Sequence, residues 1–571
     1  MKKYLFLAIT LLGMASCAKD DIANGNNAIH SGEIEESYIA INLSASDITR
    51  AETTTPEFED GEEAERRVNH VDFFFFDEAG NPFSVVGNPA VAPGGGINHL
   101  RATGVTFTKD SEKTDDISDT SSPVLLLQTY KGHYPSQIVA VLNWSTDTNK
   151  SYSLDELHAA VNITEKFEGT DYFVISNAVY ASNGKTVNAT ALPESSIKKT
   201  KDEAMEKPIS IYVERVAAKV AVSTKSGDNV IDLNKPVEGL TSTGGLVTKD
   251  VYAKLLGWEL YNDNTKSYLL KHIDPTWTAD NIGFNWNDSP WYRSYWATSM
   301  PRPEDGNSFQ MTYDNYATAG FKNEYGFPIG GATYIGENTN GKAHGTKVIL
   351  KAQLVDADEK PIEIASWYGN KYIGEESLCT AVANTLKYTL FYKYGDRYVG
   401  IEPDDLQCVA GGTTDAPDGV AANEVYFQLS DKTGYGKNRL GGWYKLVEGV
   451  YKPVADDLNH DTYSVDATNA YLKTIQPGIL YKNGETFYYI DIKHLGAEKS
   501  VAEYGIVRNH IYNVIVKSIG GYGSPVYIGY SNLITPEYPD TPDAEESFVS
   551  AQINILSWRL VNQVVDIQPN N

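Results

Sequence analysis

The sequence predicts a mostly-β protein of two β-sandwich domains, with few short helices and a carboxy-terminal strand held on a tether. Three observations carry this. Strand-type alternation recurs from Tyr38–Leu43 to Val549–Ile555, whereas a helical period surfaces only at Ser153–Val161. Composition agrees, with 38 tyrosines and 11% aromatic residues, side chains that suit a pleated, half-buried surface. The 571 residues exceed what a single core of roughly 100–200 residues organises, and an apolar content of 41% can fill more than one.

Charge narrows the function classes. The formal net charge is -27 and no stretch gathers the Lys and Arg that phosphate binding needs, which excludes nucleic acid as a partner. Of the three cysteines, Cys17 belongs to a targeting segment. Cys379 and Cys408 remain, as a disulfide or as two buried thiols, without the spacing of a metal site.

Taken in order, residues 1–16 read as a signal peptide: Lys2 and Lys3, an apolar run too short to span a membrane, then small residues before Cys17. Met14-Ala15-Ser16-Cys17 resembles a bacterial lipobox with Met where Leu is usual, so cleavage before Cys17 and its acylation (palmitate) are expected. Ala18-Lys19-Asp20-Asp21 after it resembles the surface-export tag of Bacteroidetes lipoproteins. No other segment approaches 18 apolar residues, so lipid is the only membrane attachment expected. Residues 17–50 form a lipidated propeptide. Within it Ile39, Ile41 and Leu43 share one face of a strand. Arg50, followed by Ala51 and an acidic, threonine-rich stretch to Glu65 that reads as a loose loop, offers a cut site to a trypsin-like protease. Standing alone, Arg50 reads as an ordinary surface residue.

The first sandwich domain spans 51–205. Strands are expected at Val68–Asp77, closed by the turn Asp77–Pro82, and at Val124–Tyr130, Gln137–Trp144 and Tyr172–Ser176. Ser153–Val161 reads as a short helix, and no longer helical pattern follows it. Lys198–Lys207 reads as a solvated connection to the second domain, 206–534. That domain opens with the strand Ile209–Val222, whose Glu214, Arg215 and Lys219 read as an ion-paired or solvated face rather than as catalysts. Ala253–Leu270 reads as two paired strands around Asn262–Thr265, and Asn483-Gly484 as a tight hairpin before Phe487–His494.

The linker and last strand occupy 535–571. Thr535–Glu546 holds three prolines and five carboxylates, which keep the backbone extended. Beyond it Val549, Ala551, Ile553 and Ile555 alternate with polar residues, and Trp558, Leu560 and Val561 add apolar surface. A long apolar strand beyond such a tether has its groove either far away in its own molecule or in another one.

Catalytic signatures are missing: the sequence holds no His-Glu-x-x-His, no Gly-x-Ser-x-Gly and no phosphate-binding loop. No enzyme activity, cofactor or metal is expected. Asp457-Leu-Asn-His-Asp461 has alternate oxygen ligands but lacks the glycine and distal glutamate of a calcium loop, and reads otherwise as a solvated loop. Trp286, Trp291, Tyr292, Tyr295 and Trp296 either stack on sugar rings or fill a core.

Val213-Glu-Arg-Val-Ala-Ala-Lys-Val220 resembles the hallmark strand of the Bacteroidales fimbrillins, the major and minor fimbrial subunits of type V pili. Tyr292–Ala297, Tyr334–Thr339, His344–Lys351 and Tyr504–Asn513 resemble further segments of that family. The resemblance runs from the lipoprotein signal to the last strand, with Pro82–Thr120 and Gly395–Leu472 as insertions. It implies transthyretin-like sandwiches and a lipidated precursor carried to the outer membrane. It also implies that a trypsin-like protease cuts at Arg50–Ala51 and that the strand of Ile39, Ile41 and Leu43 is lost. The groove so vacated would take the strand of Val549–Val561 from another subunit. Partners implied are copies of itself or related fimbrial subunits in a cell-surface fimbrium, and a host protein or glycan ligand. Stalk, tip and anchor roles are not distinguished. The alternative is a surface glycan-binding lipoprotein of an uptake system.

Overall fold

The computed structural model describes residues 34–45, 58–60, 65, 67–85, 96–103, 123–147, 149–163, 173–178, 180–182, 185–225, 227–240, 245–261, 264, 266–272, 297–300, 332–411, 416–417, 420, 424–454, 463–494, 503–526 and 548–559. Its sheets enclose three main hydrophobic cores, and strands dominate, as expected.

The first core is built around His70–Phe76. All four phenylalanines of its Phe73–Phe76 run are fully buried, because successive side chains of a strand point to opposite faces and both faces are covered. Phe73 and Phe75 enter the inner core with Ile39, Ile41, Leu125, Leu127, Ile211 and Val213. Phe74 and Phe76 enter a smaller cluster under Leu157 of the helix Leu154–Ala159, together with Leu269 and Leu270. That helix starts where the sequence places it, with Ser153 and Glu156 closing a capping box. Its sheet runs in the order His99–Thr103, His70–Phe76, Gln137–Leu142, Ile175–Asn177, Ile209–Arg215, Ile34–Ala45, Val124–Tyr130.

A second core lies between two five-stranded sheets. One runs Ala332–Ile335, Ala218–Thr224, His510–Gly520, Phe548–Arg559, Phe58–Asp60, and the other Val230–Asp232, Tyr252–Tyr261, Lys347–Val355, Glu485–Asp491, Ser524–Pro525. Val220, Trp258, Leu350, Tyr488 and Val514 are among the residues that meet between them.

The third core was not legible. Residues from Ile364 to Tyr481, including most of the stretch read as an insertion, form a five-stranded and a four-stranded sheet. These pack with the helices Gly374–Leu386 and Tyr463–Leu472 around Leu378, Val382, Leu390, Phe427 and Trp443. At 13 residues, Gly374–Leu386 overturns the reading that no helical pattern longer than Ser153–Val161 follows. Eight of its residues are buried, small Ser377, Thr380, Ala381 and Ala383 among them, so no polar stripe marks its period. Lys198–Lys207 also holds a short helix, Lys201–Met205, capped by Thr200.

Two hairpin readings need correction. Asn483 and Gly484 do adopt positive φ, 53° and 74°, and a Cβ on Gly484 would sit 2.4 Å from the Leu354 carbonyl oxygen. The strands they join are not partners, however: Gly478–Tyr481 pairs with Ile364–Trp367, and Glu485–Asp491 with Lys347–Val355. Tyr252–Tyr261 likewise pairs with Lys347–Val355, whereas Lys266–Tyr268 pairs with Val161–Ile163. In both places the strands on either side belong to different sheets.

Candidate functional site

The expected first strand exists, longer than read, as Ile34–Ala45, and is called the leading strand below. All 12 of its residues stand in a ladder, but not with one partner. Ile34–Ala40 run antiparallel to Val124–Tyr130, and Ile41–Ala45 run parallel to Ile209–Val213. Tyr38 and Lys198 exchange backbone hydrogen bonds of 2.7 and 2.9 Å on the other edge. Ile39 and Ile41 are fully buried, side by side on one face as their spacing requires, and Leu43 stands opposite Ile211 in the ladder. Burying two such side chains stabilises by about 3–6 kcal/mol. The strand is thus a structural member of the first core, to which the strands flanking it in the ladder contribute Leu125, Leu127, Ile211 and Val213.

The last strand exists as Phe548–Arg559, also 12 residues, and is called the trailing strand. It lies antiparallel on His510–Gly520, with Val549 opposite Ile519, Ala551 opposite Val516, Ile553 opposite Val514, Ile555 opposite Tyr512 and Trp558 opposite none of that strand's residues. On its far edge Ser557–Arg559 pair in parallel with Phe58–Asp60. Its groove in the isolated chain is therefore in its own molecule. Leu560 and Val561 lie outside the described residues, as do Cys17, Arg50, Ala51, Trp286, Trp291, Tyr292, Tyr295, Trp296 and the loop Asp457–Asp461.

The expected strand Ile209–Val222 is two strands in different sheets, Ile209–Arg215 and Ala218–Thr224, and their Glu214, Arg215 and Lys219 are buried and partnered. Lys219 Nζ reaches Glu65 Oε1 at 2.9 Å, the Tyr334 hydroxyl donates to the same oxygen at 2.5 Å, and Arg215 Nε donates to the Glu65 backbone oxygen at 3.2 Å. Burial works against the charge on Glu65, but the Tyr334 hydroxyl and the Lys219 ammonium outweigh it and hold its carboxyl below the usual range. Glu65 had read as part of a loose acidic stretch. Instead it is 1% exposed and joined to the body by these contacts.

Glu214 pairs with Lys271 at 3.0 Å, both fully buried. Burial raises the Glu214 carboxyl against the opposing pull of Lys271. Arg508 pairs with Glu337 at 2.6 Å and donates to the carbonyls of Tyr268 and Leu269. The Tyr512 hydroxyl accepts the Val507 N–H and shares a 2.9 Å hydrogen bond with His494 Nδ1. Desolvation holds His494 well below its ordinary range and His510 down at about 4. The ion pairs of Glu65, Lys271 and Glu337 had no sequence signal, because their partners are distant in the chain. These groups are locked in ion pairs and hydrogen bonds inside the packing. Among the described residues no three His, Cys, Asp or Glu side chains are placed to hold a metal ion. No helix among them is long and apolar enough to cross a membrane.

Residues 479–563 match the family model for the major fimbrial subunit protein type IV, fimbrillin, C-terminal region. The match includes Glu485–Asp491, His510–Gly520 and the trailing strand. No curated protein sequence matches the chain. Among solved structures the chain is similar to a fimbrilin from Porphyromonas gingivalis, at 11% identity and a TM-score of 0.34, covering 92% of this chain and 98% of that one. It is also similar to the tip fimbrial protein of the same organism, at 12% identity and 0.26, covering 92% and 100%. A fimbrial assembly protein from Parabacteroides distasonis matches at 11% identity and 0.25, covering 60% and 86%. The likeness to fimbrillins rests on residues 479–563.

Proposed function

We propose that this chain, which carries a fimbrillin carboxy-terminal region, is a fimbrial subunit that polymerises by exchanging its trailing strand into the trough of a neighbour's leading strand. One observation carries the reading. The two strands are both 12 residues long, yet one is built into a core and the other lies near the edge of a sheet. Removing the leading strand would uncover a trough of apolar side chains flanked by unpaired N–H and C=O groups. A second subunit's strand, with Val549, Ala551, Ile553 and Ile555 at alternate positions, supplies both ladder and side chains.

Proteolysis after Arg50 is the step that makes removal possible. Before it, the leading strand is covalently continuous with the body. After it, the lipidated segment bearing Cys17 is held by hydrogen bonds and packing alone, while Glu65 keeps the new amino-terminal region attached. Release of the lipid-bearing piece frees the subunit from the outer membrane into a surface fimbrium. Donation from head to tail does not close on itself and so builds a filament. The protein acts through assembly and adhesion, without catalysis.

Limited trypsin digestion of the precursor, read by mass spectrometry and size analysis, tests this. The expected result is one early cut after Arg50 followed by a ladder of oligomers. That ladder should be absent in Arg50→Ala and in a chain ending before Ser547. A cut precursor that stays monomeric would sink the exchange reading.

A further inference from the structure

Two thiols lie within reach of each other in the third core. Cys379 sits on the helix Gly374–Leu386 and Cys408 on the strand Leu406–Ala410, 29 positions apart in the chain, with their Sγ atoms 3.8 Å apart. They are the two cysteines that remain once Cys17 is set aside. The two Sγ atoms are already in van der Waals contact, where a disulfide would hold them about 2.05 Å apart. Among the described residues, neither belongs to a group of His, Cys, Asp or Glu side chains able to hold a metal ion.

We propose that Cys379 and Cys408 form a disulfide that fastens the helix Gly374–Leu386 to the five-stranded sheet beside it. The oxidant is an exposed disulfide, on an oxidoreductase or in oxidised glutathione. The thiolate of one cysteine attacks it, forming a mixed disulfide and releasing one thiol. The second thiolate then attacks the mixed disulfide, closing the Cys379–Cys408 bond and releasing the other thiol. Two protein thiols thereby lose two electrons and two protons, and one disulfide is reduced.

Timing follows from the setting. Cys379 is buried and Cys408 is partly so. The neighbouring Cys379 and burial push the Cys408 thiol well above its ordinary range, so the attacking thiolate is scarce once the core has closed. The bond is made while the helix is still docking. Thereafter it resists exchange.

The test is peptide mapping of the full-length chain refolded in a mixture of reduced and oxidised glutathione, alkylated in denaturant without reductant. The expected product is one cross-linked peptide joining Cys379 to Cys408, with Cys17 alkylated. Mild reductant applied to the native protein should leave the cross-link in place, whereas the same reductant in denaturant should remove it. Melting of reduced protein should fall by on the order of 10 °C for a loop of this size. Alkylation of both cysteines, or pairing of either with Cys17, would overturn the proposal. The Cys379→Ser/Cys408→Ser chain, refolded under the same conditions, should melt with the reduced protein. Melting with the oxidised protein would overturn a stabilising role.

Discussion

The leading and trailing strands are equal in length and similar in side-chain pattern, yet they belong to the molecule in different ways. The leading strand holds two separate segments, Val124–Tyr130 and Ile209–Arg215, through its two halves. Its Ile39 and Ile41 belong to a core that they share with Phe73 and Phe75. The trailing strand pairs along its length with one neighbour only, and its far edge pairs, among the described residues, at Ser557–Arg559 alone. Alternation makes a strand, but the number of separate segments it joins decides whether it can leave. A strand that knits two segments needs a cut chain before it goes. One that lies along a single neighbour can peel.

The sharpest way to break this comparison is to place a charge in each strand. Ile41→Asp puts a carboxylate into a site with no exposure and should cost roughly 4–5 kcal/mol or more, so that the precursor fails to fold at ordinary temperatures. Ile553→Asp should lower the precursor's thermal midpoint by much less, while abolishing oligomer ladders after the cut. Equal losses of midpoint in the two variants would show that the strands do not differ in kind.

Next in size is the clamp behind the cut site. Lys219→Met leaves Glu65 buried without its cation and should destabilise by about 3–5 kcal/mol. Hydrogen exchange should accelerate at residues 58–65 first, and adding Glu65→Gln should restore much of the loss. Protection unchanged at those residues would mean that the pair does not fasten this segment.

Acid probes the host of the trailing strand. His510 stands at the start of His510–Gly520, and its folded-state value of about 4 lies below the unfolded 6.5. Below pH 6.5 the unfolded chain binds the extra proton first, so stability is intact above 6.5 and falls as pH drops toward 4, by on the order of 3 kcal/mol. His494 is shifted in the same direction and adds to the slope. Urea midpoints across this window should decline for the native chain and decline less for His510→Asn. A flat profile would remove both histidines from the account.

The smallest effect concerns the far edge. Glu59→Pro removes a backbone donor from the segment that pairs with Ser557–Arg559 and should raise hydrogen exchange at those three residues, by roughly 1 kcal/mol of protection. Oligomer ladders should then grow somewhat faster. Slower growth would mean that this segment guides the trailing strand rather than restrains it.

What the sequence disclosed and what it hid divide along the same line. Tyr38–Leu43, Phe73–Phe76, Ser153–Ala159 and Val549–Ile555 were legible because periodicity and capping are properties of neighbouring residues. Asn483-Gly484 and Asn262–Thr265 misled because a turn signal says that the chain bends, not which strand it then meets. Gly374–Leu386 was hidden because a helix buried on nearly every side has no polar stripe. Glu65 was hidden for a related reason: its acidic, threonine-rich neighbourhood looks solvated, and the Lys219 and Tyr334 that bury it lie more than a hundred residues away.

The split ladder of the leading strand bears on direction. A strand taking its place has to meet Val124–Tyr130 antiparallel and Ile209–Val213 parallel, and one threaded backwards would invert both at once. Orientation is thus read twice along a dozen residues. A fibre assembled on this rule is polar, with a donor end and an acceptor end that need not grow at the same rate.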